Sequence, residues 1–208
     1  MNIRFTALAM LFMACLLTAN IIAVKLLVLP FGIVPAGILV FPVSYAINDI
    51  ISEIWGFRVM RTVILLGFLG NLVAVVAILL AGVWPAPPFW TMQGSYNAIL
   101  GFTPRLLLAS FSAYLVGQTL NSLVFIRIKN VTDGRWLWMR AIGSTAVGEA
   151  IDTLIFVLIA FTGIIPMNAL ITAMLTQWII KVGYEIVATP FTYWIIASFK
   201  REQVEVVA

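Results

Sequence analysis

Apolar residues run through this chain in blocks about as long as a bilayer is thick. A helix crossing the hydrocarbon core needs about 20 mostly apolar residues. The pattern predicts six such stretches, at 5–29, 34–56, 60–83, 104–127, 139–163 and 168–199. The last contains Pro190, which predicts a kink or a tilt. The one long connection, 84–103, is rich in proline and tryptophan and carries Gly94, so it reads as an ordered interfacial loop rather than a helix. The expected class is all-α: one transmembrane domain over 1–208, polytopic, with six transmembrane helices. The N-terminal segment has a basic start and an apolar run, as a signal peptide would. Its apolar run continues through Lys25 to Leu29, too long for a signal core, so it is read as a retained first helix.

Polar residues inside these blocks carry more information than the apolar ones. The stretch from Arg140 to Phe161 reads as a spanning helix, yet it holds Ser144, Thr145, Glu149 and Asp152. Glu149 and Asp152 are three apart and project from one helix face. An acid at mid-bilayer costs a few kcal/mol, so that face must meet a partner, a water-filled cavity or a ligand. Tyr45, Asp49 and Glu53, spaced by four, form a second polar stripe. Ser110, Tyr114, Gln118 and Asn121 form a third, and Gln177, Lys181 and Glu185 a fourth. At 1.5 Å per residue, Asp49, Gln118, Asp152 and Lys181 reach one depth from four helices, which describes a binding site better than four accidents.

Each of these residues also has a plainer reading. Lys25 near the outer end can snorkel, and Glu53 can be a solvated helix end. Asp49 can pair with a base, and Lys181 with Glu185 four positions on. Ser110 and Tyr114 can be packing glue between helices, while Ser144 and Thr145 can bond back to their own helix. Thr18, Asn20 and Lys25 are the polar positions of the first helix. Trp178 falls away from the predicted helix ends, where the other tryptophans form an aromatic belt, and so becomes a pocket candidate.

Composition narrows the function. The chain has 208 residues, 63% hydrophobic and 10% charged, far from the quarter charged of a soluble domain. A single Cys15 and the lack of histidine leave no disulfide, no cysteine cluster and no histidine-based metal or acid–base site. The pI near 9.5 is a topology effect and not a nucleic-acid signal. Arg4, Arg58, Arg61, Arg127, Lys129, Arg135, Arg140, Lys200 and Arg201 alternate along the chain so that one side of the membrane carries them and only Arg105 falls on the other. That places both termini in the cytoplasm. Six helices also divide as three plus three, the arithmetic of an inverted repeat, with Asp49 and Glu53 on helix 2 answering Glu149 and Asp152 on helix 5. No nucleophile–base arrangement, P-loop or nucleotide-binding glycine pattern is present, so no cofactor, metal or enzymatic activity is expected.

One set of residues resembles a known family. Pro42, Tyr45, Asp49, Ile50, Glu53 and Gly56 come first, then SxxAYLxGQ at Ser110–Gln118. Arg140, Ser144-Thr145, Asp152-Thr153, Phe156 and Ala160-Phe161 follow, and Lys181 and Pro190 complete the series. Their order and spacing resemble the queuosine precursor transporter family, also called the vitamin uptake transporter family. Asn121 departs from the pattern, since members often have Asp there. The resemblance implies uptake of a 7-deazaguanine base, such as 7-cyano-7-deazaguanine, across a bacterial inner membrane for tRNA modification. The partners would then be a small purine-like substrate and membrane lipid, with a homo-oligomer left open. Tyr45, Asp49, Tyr114, Gln118, Glu149, Asp152, Trp178 and Lys181 are the candidate substrate-binding residues. Asn20, Lys25, Glu53, Ser110, Ser144, Thr145 and Glu185 are candidate supporting ones. The alternative is a substrate-binding membrane subunit of an ATP-driven uptake system. Such subunits often carry an Ala-xxx-Ala contact on their first helix, and Ala19 and Ala23 have that spacing.

Overall fold

The computed structural model describes residues 3–132 and 137–205, without the side chains at 122, 125, 129, 137–141, 189 and 191–205. The expectations for Arg135 and Trp136, and for the side chains of Lys129, Trp138, Arg140, Trp194, Lys200 and Arg201, lie outside the described residues. The described residues are 82% helical. The helices are α1 (Ile3–Ile22), α2 (Phe41–Trp55), α3 (Phe57–Val83), α4 (Gln93–Leu100), α5 (Thr103–Val131), α6 (Leu137–Phe161) and α7 (Met167–Glu205). Among the described residues, five stretches are long and apolar enough to cross a membrane: Ile3–Ile22, Phe57–Val83, Gln93–Ile128, Ile142–Phe161 and Met167–Ala188. Leucines and valines such as Leu65, Leu69, Leu72, Val73 and Leu80 face outward, as lipid solvation allows. Pro190 lies within α7.

The expected first and second helices are not as drawn. α1 stops at Ile22, and the chain forms an antiparallel hairpin of β1 (Leu26–Leu29) and β2 (Gly32–Pro35), turning at Pro30-Phe31. One turn of 3-10 helix, Ala36–Leu39, then leads into α2. An apolar run does not by itself distinguish helix from strand. Here two prolines interrupt it, and the hairpin satisfies its own backbone groups by cross-strand pairing. α2 has only 15 residues, about 22 Å long, too short to cross a core of about 30 Å. The hairpin is fastened by close contacts. A Cβ on Gly32 would sit 2.0 Å from Thr176 Oγ1, and one on Gly37 would sit 2.9 Å from the Ala19 carbonyl. Ala19 and Ala23 are therefore buried inside the fold and offer no exposed face for a partner subunit. α2 ends at Gly56, whose φ of 89° lets α3 begin at once in a new direction.

The 84–103 connection also differs from the expected loop. It contains α4, fixed to the end of α3 by Tyr96 Oη donating to the Ile78 carbonyl at 2.9 Å and Gln93 Nε2 donating to the Gly82 carbonyl at 3.0 Å. Arg105, the basic residue on the unexpected side, has a structural task. Its Nε donates to the Ile159 carbonyl and its Nη2 to the Thr162 carbonyl, both at 2.6 Å. These are carbonyls at the end of α6, where a cation is favoured.

The described apolar residues form two cores. Phe12, Ile47, Ile51, Met60, Ile64 and Phe68 join the start of α1, the end of α2 and the start of α3. Leu106, Ala109, Phe156, Val157, Phe161 and Leu170 join the start of α5, the end of α6 and the start of α7, beside the hairpin. Between the cores, α5 and α6 approach backbone to backbone. A Cβ on Gly117 would lie 2.9 Å from Asp152 Cβ and 3.1 Å from the Gly148 carbonyl, and one on Gly148 would lie 2.8 Å from Asn121 Cβ. Small residues permit this in membrane helices.

Gly117→Ala should therefore lower the unfolding temperature in detergent, by the equivalent of about 1–3 kcal/mol of overpacking. Gly183→Ala, where nothing lies within 4 Å, should leave it unchanged or raise it by up to about 1 kcal/mol through helix propensity. Equal unfolding temperatures for the two variants would mean that α5 and α6 do not meet through Gly117.

Candidate functional site

A cavity of about 100 Å³ lies between the two cores. One water takes about 10–15 Å³ on this scale, so the space holds roughly seven waters or one bicyclic ring. Every lining element contributes at helical spacing: Phe12 and Leu16 from α1, Phe41, Ser44, Tyr45 and Asn48 from α2, and Ile64 and Phe68 from α3. Ser110, Ala113, Tyr114, Gly117, Gln118 and Asn121 come from α5, Thr145, Gly148, Glu149, Asp152 and Phe156 from α6, and Gln177 and Lys181 from α7.

Lys181 stands at the centre and is 3% exposed. Its Nζ lies 2.5 Å from Asp152 Oδ2 and 3.0 Å from Glu149 Oε2. Tyr45 Oη donates to the same Glu149 oxygen at 3.2 Å. The ammonium also sits 5.3 Å from the centre of the Phe41 ring and 5.9 Å from that of Tyr45, within cation–π range. Those two rings stack with centroids 5.9 Å apart. With both acids ionised, one lysine against two carboxylates leaves one negative charge in the group. Each carboxylate engages the lysine through one oxygen, Oε2 or Oδ2, so its second oxygen can serve as an acceptor. Phe68 and Tyr114 form another aromatic wall, with ring centroids 5.7 Å apart. Two lining amides carry a buried oxygen without a partner, Asn121 Oδ1 and Gln177 Oε1.

The structure sorts the sequence candidates. It brings together Tyr45, Tyr114, Gln118, Glu149, Asp152 and Lys181, with Ser110 and Thr145 beside them. Lys181 pairs across to α6, where its own-helix neighbour Glu185 was the plainer alternative. Asp49 does not line the cavity; it accepts from Asn48 Nδ2 at 3.4 Å. At about 100° per residue, a spacing of four drifts about 40° each time, so the stripe starting at Tyr45 rotates away by Asp49 and further by Glu53, which is exposed. Glu185 is half-buried on α7 and does not line the cavity. Trp178 is tied to α6, its Nε1 donating to the Ala146 carbonyl at 2.9 Å. Asn20 is a packing contact, donating to Asn71 Oδ1 at 2.9 Å. Ser144 is buried outside the cavity lining. Lys25 begins the hairpin segment, its carbonyl accepting from the Ala36 amide at 2.8 Å.

Phe41, Asn48, Phe68 and Gln177 line the cavity without having been candidates. Phe41 is four before Tyr45, so extending that stripe backward by one turn would have found it, and Gln177 already heads the stripe that contains Lys181. Phe68 is one of many apolar positions on α3, and nothing in its local sequence marks it. Among the described residues, no group of three or more His, Cys, Asp or Glu side chains is placed to hold a metal ion.

Comparison with known proteins gives a consistent answer. Residues 35–195 match the family described as "Putative vitamin uptake transporter". A Bacillus subtilis protein named "Probable queuosine precursor transporter" is 30% identical over 179 residues, covering 84% of this chain and 77% of the relative. An Escherichia coli protein named "Queuosine precursor transporter" is 31% identical over 128 residues, covering 60% of this chain and 54% of the relative. A Haemophilus influenzae protein named "Probable queuosine precursor transporter" is 30% identical over 125 residues, covering 60% of this chain and 51% of the relative. No solved structure gives a significant match. With helices fit to cross a bilayer several times and a polar cavity between them, this multi-pass membrane protein belongs to the vitamin uptake transporter family.

Proposed function

We propose that this chain is a secondary transporter that imports a queuosine precursor, a 7-deazaguanine base such as 7-cyano-7-deazaguanine, across the bacterial inner membrane. The observation that carries the proposal is the cavity in which Glu149, Asp152 and Lys181 meet between aromatic walls. A guanine-type edge offers a ring N–H beside an exocyclic amine, which suits a carboxylate with a free oxygen. The ring carbonyl suits Gln118. The faces suit Tyr45, Phe41, Phe68 and Tyr114, since stacking on an aromatic contributes roughly 1–3 kcal/mol per base. The relatives named queuosine precursor transporter support the same substrate class.

Alternating access in this reading comes from an inverted repeat of α1–α3 and α5–α7. The two cores support it: one is built from α1, α2 and α3 and the other chiefly from α5, α6 and α7. The path then crosses the membrane six times, with the hairpin and α2 together making the second crossing, and both termini are cytoplasmic. A reporter fused after residue 208 should read cytoplasmic and one inserted near Gln93 external; the same side for both would end the six-crossing topology.

Purified protein in liposomes should take up the labelled base without any ATP-driven partner. Uptake that requires such a partner would instead favour a substrate-binding subunit. Adenine-type bases should bind at least about tenfold more weakly, because reversed donors and acceptors leave a buried group unpaired at about 1–3 kcal/mol; equal binding would rule out recognition of the ring edge.

Asp152→Asn replaces an acceptor oxygen with a donor at constant volume. It should abolish uptake in cells while the protein still reaches the membrane, as measured by immunoblot of the membrane fraction. Near-normal uptake would leave Asp152 a purely structural partner of Lys181.

A further inference from the structure

Gln177 precedes Lys181 by one turn of α7 and borders the same cavity. It is 1% exposed, and its Oε1 has no hydrogen-bond partner. A buried amide oxygen left unpaired costs about 1–3 kcal/mol. The nearest cation along the helix, Lys181, turns its ammonium to Glu149 and Asp152 instead. An apolar side chain of similar length would fill this place without the penalty. The unpaired oxygen therefore adds no hydrogen bond to the fold, and rotation of the side-chain amide would turn it to the cavity that Gln177 borders.

The packing fixes where this acceptor stands. One helical turn is about 5.4 Å, so the backbone of Gln177 lies about that far along α7 from that of Lys181, toward the hairpin, where the adjacent Thr176 meets Phe31. The interval is about the width of a fused bicyclic ring. A base whose amidine-like edge meets Glu149 and Asp152 thus turns its far edge toward Gln177. In a 7-deazaguanine the far edge belongs to the five-membered ring, which carries its own N–H. That nitrogen is also the atom through which such a base would be joined to a sugar.

We infer that Gln177 is a specificity-determining residue: its Oε1 accepts the pyrrole N–H of the bound base and so excludes molecules substituted at that nitrogen. The inference rests on the cavity being the substrate site for a 7-deazaguanine. The carboxylates select the guanine-type edge and Gln177 selects the unsubstituted ring nitrogen. Together they admit the free base and reject its nucleoside.

The test is ligand-induced thermal stabilisation of the full chain in detergent, titrated to give affinities. The two probes are 7-cyano-7-deazaguanine and its derivative methylated on the pyrrole nitrogen. Wild type should bind the free base at least tenfold more tightly than the methyl derivative. Gln177→Leu and Gln177→Met should each bind the free base about tenfold more weakly and lose the discrimination. Their unfolding temperatures without ligand should equal or exceed that of wild type, because each removes an unpaired buried oxygen. Discrimination that persists in both variants, with wild type binding the free base, overturns the role of Gln177 alone. So does a fall in the ligand-free unfolding temperature with no change in discrimination. Failure of wild type to bind either probe overturns the substrate class as well, and that outcome is separate from the other two.

Discussion

An ammonium buried among membrane helices is the constraint around which this protein is arranged. Lys181 must find negative charge and donors' partners inside the molecule, and it finds Glu149 and Asp152, both on one face of α6. Tyr45 of α2 joins through the Glu149 oxygen, and the rings of Phe41 and Tyr45 complete the surroundings. α5 reaches the same group by backbone, since Gly117 gives Asp152 its space. Four helices thus meet through one charge cluster. Removing one partner of such a cluster costs about 3–5 kcal/mol, while replacing the whole of it by apolar side chains is often neutral or better.

The apolar packing leaves room for that cluster by staying away from it. One core gathers α1, α2 and α3 with Leu107 and Phe111 of α5 against it, and the other gathers α5, α6 and α7 with Ala23 beside the hairpin. The cavity between them is lined by Glu149, Asp152 and Lys181 together with Phe41, Phe68 and Phe156. α5 and α6 run together through glycines, whereas α2 and α7 are held at the cavity by Tyr45, Glu149 and Lys181. The first contact is shape and the second is charge.

Much of this was legible in the sequence, and the failures have physical causes. The apolar blocks located the long helices, because length and hydropathy suffice to mark a bilayer crossing. Glu149, Asp152, Gln118 and Lys181 stood out because a polar group at that depth needs a reason. Asp49 falls outside the cavity lining because a repeat of four drifts around a helix. The hairpin was hidden because leucine and valine serve strand and membrane helix alike, and only its prolines hinted otherwise. α4 was hidden because its stability comes from Tyr96 and Gln93 reaching carbonyls of α3, a tertiary effect that propensity cannot show. Asn121 read as a departure from a family pattern, and the cavity gives it a different interest, as a lining amide with an unpaired oxygen.

The shortness of α2 bears on how the chain is made. Tyr45 lies 104 positions before its partner Glu149. At about 5–20 residues per second, the ribosome needs roughly 5–20 seconds to deliver that partner, and longer to deliver Lys181. During this interval a 15-residue helix carrying Asn48, Asp49 and Glu53 has neither the length nor the apolar surface to settle alone in hydrocarbon. Its hairpin and α1 can shelter one side, but the cavity face waits for α6 and α7. The nascent protein therefore passes through a stage in which its future binding surface is open to the insertion machinery or to lipid headgroups.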